Sequence, residues 1–229
     1  MTATLTDADL AAWSVAFERA PAEEIVGWAA ETFGDGLCLT TSLTDAVLLD
    51  LATRVAPGIE VIFLDTQYHF AETLTTLDVV RERYPVRLNV RRPDRPLDDL
   101  WRTDTDACCH ARKVLPLDEA LAGKTAWLSG LRRADSAERA DTPIVARDQR
   151  GLVKVNPIAT WSDDDLALYI QLHDVPVNPL VAQGYPSIGC WPCTQPVAPG
   201  EDARAGRWRG MAKTECGIHT RLQMKESAQ

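Results

Sequence analysis

The sequence predicts an α/β protein with a mostly parallel sheet, helices on both faces of that sheet, and an irregular C-terminal tail. The segments typical of buried strands are residues 37–41, 61–64 and 86–90, and those typical of amphipathic helices are residues 45–55 and 72–84. This alternating order produces parallel strands, because each helix crosses one face of the sheet and returns the chain in the same direction. Ligands bind such sheets beyond the carboxyl ends of the strands, so we expect residues 41–44 and 65–67 beside a ligand.

The bulk composition indicates one globular domain. The chain has 229 residues, 45% apolar and 25% charged, which are ordinary values for a domain with its own core. The net charge of −9 argues against a nucleic-acid partner, since binding a phosphate backbone needs a basic face. The sequence contains no apolar run of about 18 residues and no basic start typical of a signal peptide. We therefore expect a cytoplasmic protein without a membrane span.

We divide this single domain, residues 1–229, into three parts. Residues 1–35 are expected to form two helices, residues 36–180 the α/β core, and residues 181–229 the tail. Thr6 and Asp9 form a capping-box pattern before the first helix. The second helix is expected to begin near Pro21, because proline favours the first helical position.

The second half of the core adds further elements. They are a helix that follows Cys109 to about residue 121, a strand at residues 125–128, and a hairpin over residues 144–155 that turns at residues 148–151. Ser162 precedes three aspartates, the pattern of a capped helix start, and this helix is expected to end near His173. After Pro176 the chain is rich in proline, so we expect it to be extended and irregular.

Four of the six cysteines form two close pairs, the adjacent Cys108 and Cys109 and the C-x-x-C pair Cys190 and Cys193. In a protein expected in the cytoplasm, such pairs favour metal binding or catalysis over disulfides. Two pairs that lie far apart in the sequence can each supply half of a four-thiolate site.

Three kinds of site are considered for these cysteines. A dithiol redox site of the thioredoxin kind needs the C-x-x-C to open a helix, and the prolines that follow Cys193 argue against a long helix. A four-cysteine zinc site is the second kind. Adjacent ligands such as Cys108 and Cys109 suit a wider cluster better than one small ion, because neighbouring side chains diverge. We therefore favour a [4Fe–4S] cluster over zinc or a dithiol site.

The two remaining cysteines have different surroundings. Cys38 lies in an apolar strand and is interpreted as core packing. Cys216 lies outside any expected strand, three residues before His219. A cationic imidazole at His219 would favour the thiolate or hold an anionic substrate. Cys216 is therefore the candidate nucleophile.

Basic residues are concentrated in the loops of this acidic chain. They are Arg132, Arg133, Arg139, Arg204, Arg207, Arg209 and Lys213. Loop arginines suit bidentate binding of phosphate or sulfate, although a solvated surface is the alternative for each of them. Lys113 follows Cys109 by one helical turn, so we expect it near the cysteine site.

Five motifs follow one another along the chain. They are Cys108-Cys109-His110-Ala111-Arg112-Lys113, Gly130-Leu131-Arg132-Arg133, Gly189-Cys190-Trp191-Pro192-Cys193-Thr194, Gly200-Glu201-Asp202-Ala203-Arg204-Ala205-Gly206-Arg207-Trp208, and Glu215-Cys216-Gly217-Ile218-His219. Together they resemble the iron–sulfur type of assimilatory adenylylsulfate (APS) reductase, in the APS/PAPS reductase family. The resemblance extends from about Leu37 to His219, and the combination is specific although each motif alone is not. It implies an adenine-nucleotide alpha hydrolase-like (PAPS reductase-like) fold, a [4Fe–4S] cluster, and thioredoxin or glutaredoxin as electron donor.

The resemblance also implies roles for individual residues. The residues that would hold the cluster are Cys108, Cys109, Cys190 and Cys193. Cys216 would be the nucleophile, assisted by Lys113 and His219. The residues expected around the phosphosulfate are Lys113, Arg139, Arg204, Arg207 and His219, and those expected in the nucleotide pocket are Ser42, Leu64, Thr66 and Gly130.

The chain departs from the family pattern in two loops. The loop at residues 41–45 contains no glycine, whereas the family often has one there. The usual Leu-Asp-Thr-Gly is here Leu64-Asp65-Thr66-Gln67. Both departures concern contacts with the nucleotide rather than the reaction.

The implied reaction reduces APS to sulfite and AMP, in assimilatory sulfate reduction and cysteine biosynthesis. Cys216 would attack the sulfonate sulfur and form an S-sulfocysteine, which thioredoxin would then reduce. Because that sulfur must be shielded first and exposed later, we expect residues 209–229 to move.

The alternatives are a reductase of the 3′-phosphorylated nucleotide (PAPS), a non-catalytic metal-binding protein of the same fold, and an ATP-using adenylating enzyme. The last normally has a glycine-rich pyrophosphate loop, which is absent here. The oligomeric state stays open between a monomer and a homo-oligomer.

Overall fold

A six-stranded, mostly parallel sheet forms the centre of the computed structural model, which describes residues 5–219. The strands are β1 (Leu37–Thr41), β2 (Glu60–Leu64), β3 (Arg87–Arg91), β4 (Ala126–Leu128), β5 (Val145–Arg147) and β6 (Val153–Val155). Their order across the sheet is β3-β2-β1-β4-β6-β5, and β5 alone among them runs antiparallel to its neighbour. The predicted parallel sheet and the predicted hairpin, β5–β6, are therefore confirmed.

The helices follow the predicted order. Within residues 5–219 the α-helices are α1 (Asp7–Ala16), α2 (Ala22–Phe33), α3 (Val47–Val55), α4 (Ala71–Arg83), α5 (Leu100–Thr103), α6 (Thr105–Cys109), α7 (Leu115–Ala120) and α8 (Asp163–His173). A π-helical turn, His110–Val114, joins α6 to α7. This wider turn was not predicted, and single π-helical turns inside α-helices are frequent at functional sites.

Local capping explains where several helices begin. The Thr6 hydroxyl accepts from the Asp9 backbone N–H at 3.2 Å while the Asp9 carboxylate accepts from the Thr6 N–H at 2.8 Å, as predicted. Ser162 and Asp165 form the same reciprocal pair before α8. The helix expected from residue 45 begins two residues later, at Val47, whose N–H donates to the Asp45 carboxylate at 3.0 Å in a local turn before the helix.

Alternate residues of the strands pack on opposite faces of the sheet. Leu39 and Phe63 belong to a large core that also contains residues of α2, α3 and α8. Cys38 and Trp127 belong to the core on the other face, together with Leu117 of α7. This period of two is the geometry of a strand that is buried on both faces. The interpretation of Cys38 as core packing is confirmed, since Cys38 is fully buried.

The topology sets the position of a ligand site. From β1 the chain proceeds to β2 and β3 on one side, and β4 then pairs with β1 on its other side. The order of strands reverses at this point, and the carboxyl ends of β1 and β4 open a crevice there. In the described part of the chain, no helix has the length and apolar character needed to cross a membrane.

The chain after α8 is irregular, as predicted. Its regular elements within residues 174–219 are two short 3₁₀ turns, Val181–Gln183 and Trp191–Cys193. The Trp208 N–H donates to the Cys193 carbonyl at 2.9 Å, so the tail doubles back beside the C-x-x-C pair. Of the segment predicted to move, residues 220–229 lie outside the described residues.

Candidate active site

A cavity of about 480 Å³ lies at the carboxyl ends of the strands. The loop after β1 contributes Ser42, the end of β2 contributes Leu64 and Thr66, and the loop after β4 contributes Gly130. The tail closes the opposite wall with residues between 203 and 219. All four residues predicted for the nucleotide pocket therefore line one cavity.

The four paired cysteines line a second, small cavity. Cys108 and Cys109 end α6, while Cys190 and Cys193 come from the 3₁₀ turn of the tail and the residue before it. Burial is the largest cause that raises the pKa of Cys108, Cys109 and Cys193, in each case to about 11. Folding thus brings both predicted pairs to one place, with Cys108 and Cys109 buried and Cys190 and Cys193 partly buried.

The four paired cysteines line one cavity but are not arranged to bind a single metal ion. Within residues 5–219, no three His, Cys, Asp or Glu side chains come close enough together to bind one metal ion. Zinc in a four-cysteine site needs each sulfur about 2.3 Å from the ion. Because both pairs line the same cavity, each can supply half of a four-thiolate site. The C-x-x-C opens a three-residue 3₁₀ turn and not an α-helix, which argues against a thioredoxin-like dithiol site.

Lys113 lies between the two cavities and lines both of them. It is buried in the π-helical turn and, in the described part of the chain, forms no ion pair with a carboxylate. Burial lowers its pKa, but the thiols of Cys190, Cys216 and Cys109 outweigh burial and raise the pKa above its usual range. The ammonium is therefore close to the cysteine site, as expected from the spacing, and also to Cys216.

Cys216 forms part of the wall of the large cavity. It is 9% exposed and packs with Cys109 and Trp208. Its thiol also influences the pKa of Lys113 and of Arg204, so both cations are near it. The candidate nucleophile is thus shielded from solvent and placed among positive charges.

Arg139 and Arg204 lie on the two sides of the residue that precedes Cys216. Arg139 contacts one carboxylate oxygen of Glu215 at 2.7 Å, and Arg204 contacts the other at 3.2 Å. Arg139 also pairs with Asp135 at 2.9 Å. Burial, and then the nearby Arg139, lowers the pKa of Arg204, which shows that the cations crowd one another. A cavity with such crowded cations suits an anionic ligand.

Arg207 is held against Trp208, with its guanidinium 4.6 Å from the ring centre. One nitrogen contacts the Ser187 hydroxyl at 3.2 Å, while the buried Nε has no hydrogen-bond partner within residues 5–219. Gly189 makes room for this guanidinium, since a Cβ there would lie 2.4 Å from Arg207 Nη2. The arginine therefore lines the cavity with unused hydrogen-bonding capacity.

Several basic residues named from the sequence do not join this cation group. Arg133 pairs with Glu18 at 2.6 Å and Arg209 with Glu201 at 2.8 Å, both near the surface. Lys213 pairs with Asp106. Arg132 lines the cavity but is neutralised by Asp135 and Asp163. For Arg133 and Arg209, the alternative of a solvated surface is the one the structure supports.

His219 lines the cavity, but its charge differs from the expectation. Its ring stacks on Trp127 at 5.7 Å with an interplanar angle of 4°. Burial and the neighbouring cations, of which Lys154 is the foremost, hold the pKa of His219 well below its usual range. This shift favours the neutral imidazole, whereas the sequence suggested a cationic one. The reason is that folding surrounds it with lysine and arginine side chains.

The two loops that lack the family's glycines keep a glycine-like backbone. Leu43 has a φ of 60° and Gln67 a φ of 68°, both in the left-handed region that favours glycine. The side chain of Gln67 accepts from the buried Arg112 at 2.5 Å, a contact that glycine could not make. Such strain typically costs about 1 kcal/mol or more and is common at ligand sites.

Two buried cations of the site were missed from the sequence. Arg112 packs over Tyr68 and donates to the Pro96 carbonyl at 2.6 Å, which anchors the cysteine helix to the loop before α5. Lys154 lies within β6, and its ammonium is 3.0 Å from Nδ1 of His219. The sequence contains a signal for Lys154, because a lysine between two valines of an apolar strand is unusual.

Comparison with known sequences gives one family. The profile of the phosphoadenosine phosphosulfate reductase domain matches residues 37–196. The adenosine 5′-phosphosulfate reductases of Streptomyces coelicolor and Mycobacteroides abscessus are 51% and 48% identical to this chain over 211 residues. Each of the two alignments covers 88% of this chain and 89% of the relative.

Comparison with solved structures gives related folds. The phosphoadenylyl-sulfate (PAPS) reductase from Candida auris, crystallised as a phosphate complex, has a TM-score of 0.74 and 27% sequence identity, over 83% of this chain and 98% of that one. The FMN adenylyltransferase of Candida glabrata has a TM-score of 0.59 at 13% identity, over 98% of this chain and 78% of that one. At that identity, the second likeness concerns the fold alone.

Proposed function

The chain belongs to the phosphoadenosine phosphosulfate reductase domain family, and on this premise we propose that it reduces APS to sulfite and AMP. Relatives named adenosine 5′-phosphosulfate reductase align with most of the chain at about half identity, which supports this substrate. The adenine-nucleotide alpha hydrolase-like fold supports a nucleotide at the carboxyl ends of the strands. The reaction serves sulfate assimilation and cysteine biosynthesis, and we assign it to the cytoplasm.

One observation carries the proposal: the Cys216 thiol and a group of cations line the same cavity. Lys113, Arg204 and Arg207 line it within a protein whose net charge is −9. Positive charge is concentrated where the most negative part of APS, its phosphosulfate, would reach the thiol. Ser42, Leu64, Thr66 and Gly130 line the remainder and are proposed to bind the adenosine part.

In the first step the Cys216 thiolate attacks the sulfur of the sulfonate. A sulfur–sulfur bond forms, the bond from that sulfur to the phosphate oxygen breaks, and AMP leaves with the electron pair. The product on the enzyme is S-sulfocysteine. Two anions approach each other in this step, so fixed cations such as Lys113 stabilise the charge that develops between them. We also assign substrate-binding roles to Arg139 and His219.

In the second step a thiolate of reduced thioredoxin, or of glutaredoxin, attacks Sγ of Cys216. The sulfur–sulfur bond to the sulfonate breaks, and sulfite leaves with the electron pair. The second thiol of the donor resolves the mixed disulfide and restores Cys216. The dithiol of the donor therefore supplies both electrons of the reduction.

Cys108, Cys109, Cys190 and Cys193 are proposed to hold a [4Fe–4S] cluster, because both pairs line one cavity and the diverging side chains of adjacent cysteines suit a wider cluster better than one ion. When bound, the cluster supplies rigidity and local charge, and the two-electron balance needs no electrons from it. The Lys113 ammonium is close to these cysteines and to Cys216. We therefore propose that its positive charge acts both on the cluster and on the Cys216 thiol.

The 3′-phosphorylated nucleotide is the alternative substrate, because the structural relative from Candida auris is a PAPS reductase. The relatives that are 51% and 48% identical are named for APS, and this favours APS. The ratio of kcat/KM for the two nucleotides distinguishes the alternatives. A ratio in favour of PAPS would reject APS as the substrate.

The proposed function is tested by the covalent adduct. Wild-type enzyme mixed with APS, without thioredoxin, is expected to carry one sulfonate on the peptide that contains Cys216, detected by mass spectrometry. Cys216→Ser is expected to form no adduct, whereas Cys38→Ala, which changes a core cysteine, should form it normally. An adduct on another cysteine, or sulfite release by Cys216→Ser with reduced thioredoxin, would contradict the mechanism. No reaction of the wild type with APS would support the non-catalytic alternative.

A further inference from the structure

Lys154 is an unusual residue for its position. It lies in the middle of β6, where its backbone neighbours are Trp127 of β4 and Ala146 of β5. The side chain is 9% exposed and, in the described part of the chain, forms no ion pair with a carboxylate. Burying a lysine without such a partner is costly. Burial and the nearby Arg139 lower its pKa to about 8. Packing alone therefore does not explain a buried lysine at position 154.

The contacts of the Lys154 ammonium supply that explanation. The ammonium is 5.1 Å from the centre of the Trp127 ring and 3.0 Å from Nδ1 of His219. His219 in turn stacks on the same tryptophan, and Trp127 Nε1 donates to Asp148 at 3.0 Å. The three side chains thus fix one another, and Asp148 fixes the tryptophan. The imidazole is held by both its face and one nitrogen.

The direction of the Lys154–His219 hydrogen bond determines where the imidazole carries its proton. A charged lysine can only donate, so Nδ1 of His219 must accept. A neutral imidazole carries one proton, which is then on Nε2. His219 lines the substrate cavity, as do Cys216 and Arg204. The remaining nitrogen, Nε2, is thus a hydrogen-bond donor on a side chain that lines a cavity with several cations.

We propose that Lys154 is a positioning residue that holds His219 as the Nε2–H tautomer, so that the imidazole donates to an anionic oxygen of the phosphosulfate. This inference rests on the proposed function. Lys154 itself lies outside the residues that line the cavity and acts through His219. Neutral histidine can thereby bind an anion without adding another charge to a crowded group of cations.

Two simpler roles for Lys154 must be separated from this one. Its aliphatic stem could contribute only packing, or its charge could attract the substrate without His219. Lys154→Met keeps an apolar stem beside Trp127 and removes both the donor and the charge. His219→Ala removes the group through which Lys154 is proposed to act. A double-mutant cycle with these two substitutions measures whether their effects are coupled.

The experiment measures AMP release in a single turnover, with holoenzyme and APS in the absence of thioredoxin. Lys154→Met is expected to slow release about tenfold, the effect of losing one well-placed interaction. In the His219→Ala background the same substitution should change the rate less than about twofold, because its target is gone. An equal loss in both backgrounds, or no loss in either, would overturn the proposal. A wild type that releases no AMP contradicts the proposed function instead.

The pH dependence provides a readout that a packing role would not change. His219 also faces the cations Arg139, Arg150 and Arg204, and Lys154 faces Asp148 and Glu215. Without Lys154 the pKa of His219 rises, because the foremost neighbouring cation is removed. A protonated imidazole donates from both nitrogens. The defect of Lys154→Met, as the wild-type to variant ratio, should therefore shrink from about tenfold at pH 7, where Lys154 is still mostly charged, to about threefold at pH 6. A ratio that is constant with pH would contradict it.

A direct measurement covers the case in which Lys154→Met does not fold. Spectra of ¹⁵N-histidine in the wild-type holoenzyme report the tautomer of each of the four histidines, and His219→Ala identifies the His219 signals. The expected state of His219 is neutral with the proton on Nε2. A neutral ring protonated on Nδ1, or a cationic ring near pH 7, would overturn the inference.

Discussion

The carboxylate of Glu215 lies 2.7 Å from the guanidinium of Arg139, so the residue before Cys216 is tied to the loop that follows β4. Both side chains are largely buried, and Arg204 completes the arrangement from the tail. The contact helps to keep Cys216 in its shielded position, 9% exposed. Since thioredoxin must later reach the same sulfur, the Glu215 pair is expected to influence how often the tail opens.

Glu215→Gln tests this relationship. Loss of the charged contact should favour the open tail and speed alkylation of Cys216 by iodoacetamide, in the absence of APS, by about fivefold, which corresponds to about 1 kcal/mol. Peptide mass spectrometry identifies the modified cysteine. Glu201→Gln breaks a more exposed ion pair of the tail, with Arg209, and should leave the rate unchanged. Equal alkylation rates in wild type and Glu215→Gln would show that this pair does not hold the tail.

Lys113→Ala is expected to lower turnover of APS by about a hundredfold to a thousandfold, because a fixed charge near the reacting sulfur is lost. The iron and sulfide content should remain at the wild-type value. Lys124→Ala is a matched control, since Lys124 pairs with Glu60 at 2.6 Å, close to the amino ends of the strands. Turnover of Lys113→Ala within a factor of a few of the wild type would mean that Lys113 is not part of the site.

Protein purified without oxygen should contain about four irons and four sulfides per chain, as a cubane bound by four cysteines does. Cys193→Ser should lose most of the iron, because it removes one of the four thiols around the small cavity. Cys38→Ala should keep all of it, since Cys38 lies in the core of the sheet. Metal and sulfide analyses check both variants. One zinc per chain without sulfide would contradict the cluster.

Asp50 should make the stability dependent on pH. Burial raises the pKa of this carboxyl, but hydrogen bonds from Arg54, Tyr169 and Tyr84 outweigh burial and hold the pKa below 3.8. The folded state therefore favours the charged form. This stabilisation is fully present above about pH 4, the ordinary range of the carboxyl, and is lost as the pH falls through the folded pKa.

Asp50→Asn is accordingly expected to lower the melting temperature of the holoprotein at pH 7 by about 3–10 °C, from a loss of about 1–3 kcal/mol. The difference from the wild type should narrow as the pH falls below about 4. Asp78→Asn, which breaks an exposed pair with Arg81, should change the melting temperature by less than about 2 °C. A difference that does not narrow in acid would show that the Asp50 charge is not the stabilising group.

The order of helices and strands could be predicted because the signals are local. Thr6 with Asp9, and Ser162 with Asp165, satisfy backbone groups within one helical turn, and the structure shows both capping boxes. The π-helical turn at His110–Val114 was not predictable in this way. It depends on how the cysteine helix is held at both ends, including the contacts of the buried Arg112.

The loops without glycine show a limit of sequence patterns. Leu43 and Gln67 take a backbone conformation that their residue types disfavour, with φ of 60° and 68°. The local preference of leucine and glutamine disfavours a positive φ, but tertiary contacts such as the one between Gln67 and Arg112 stabilise this conformation. The position of both loops on the ligand side was predictable from strand order alone.

The sequence by itself determined the α/β sheet, the two cysteine pairs and the distinct position of Cys216, because each depends on residue type and short spacing. Only the tertiary structure decided that His219 is buried among cations and that Lys154 contacts it. These residues are 65 positions apart and meet through the docking of the tail on the sheet. The cause is physical: a pKa depends on burial and on charges brought from distant parts of the chain, and neither exists until the chain is folded.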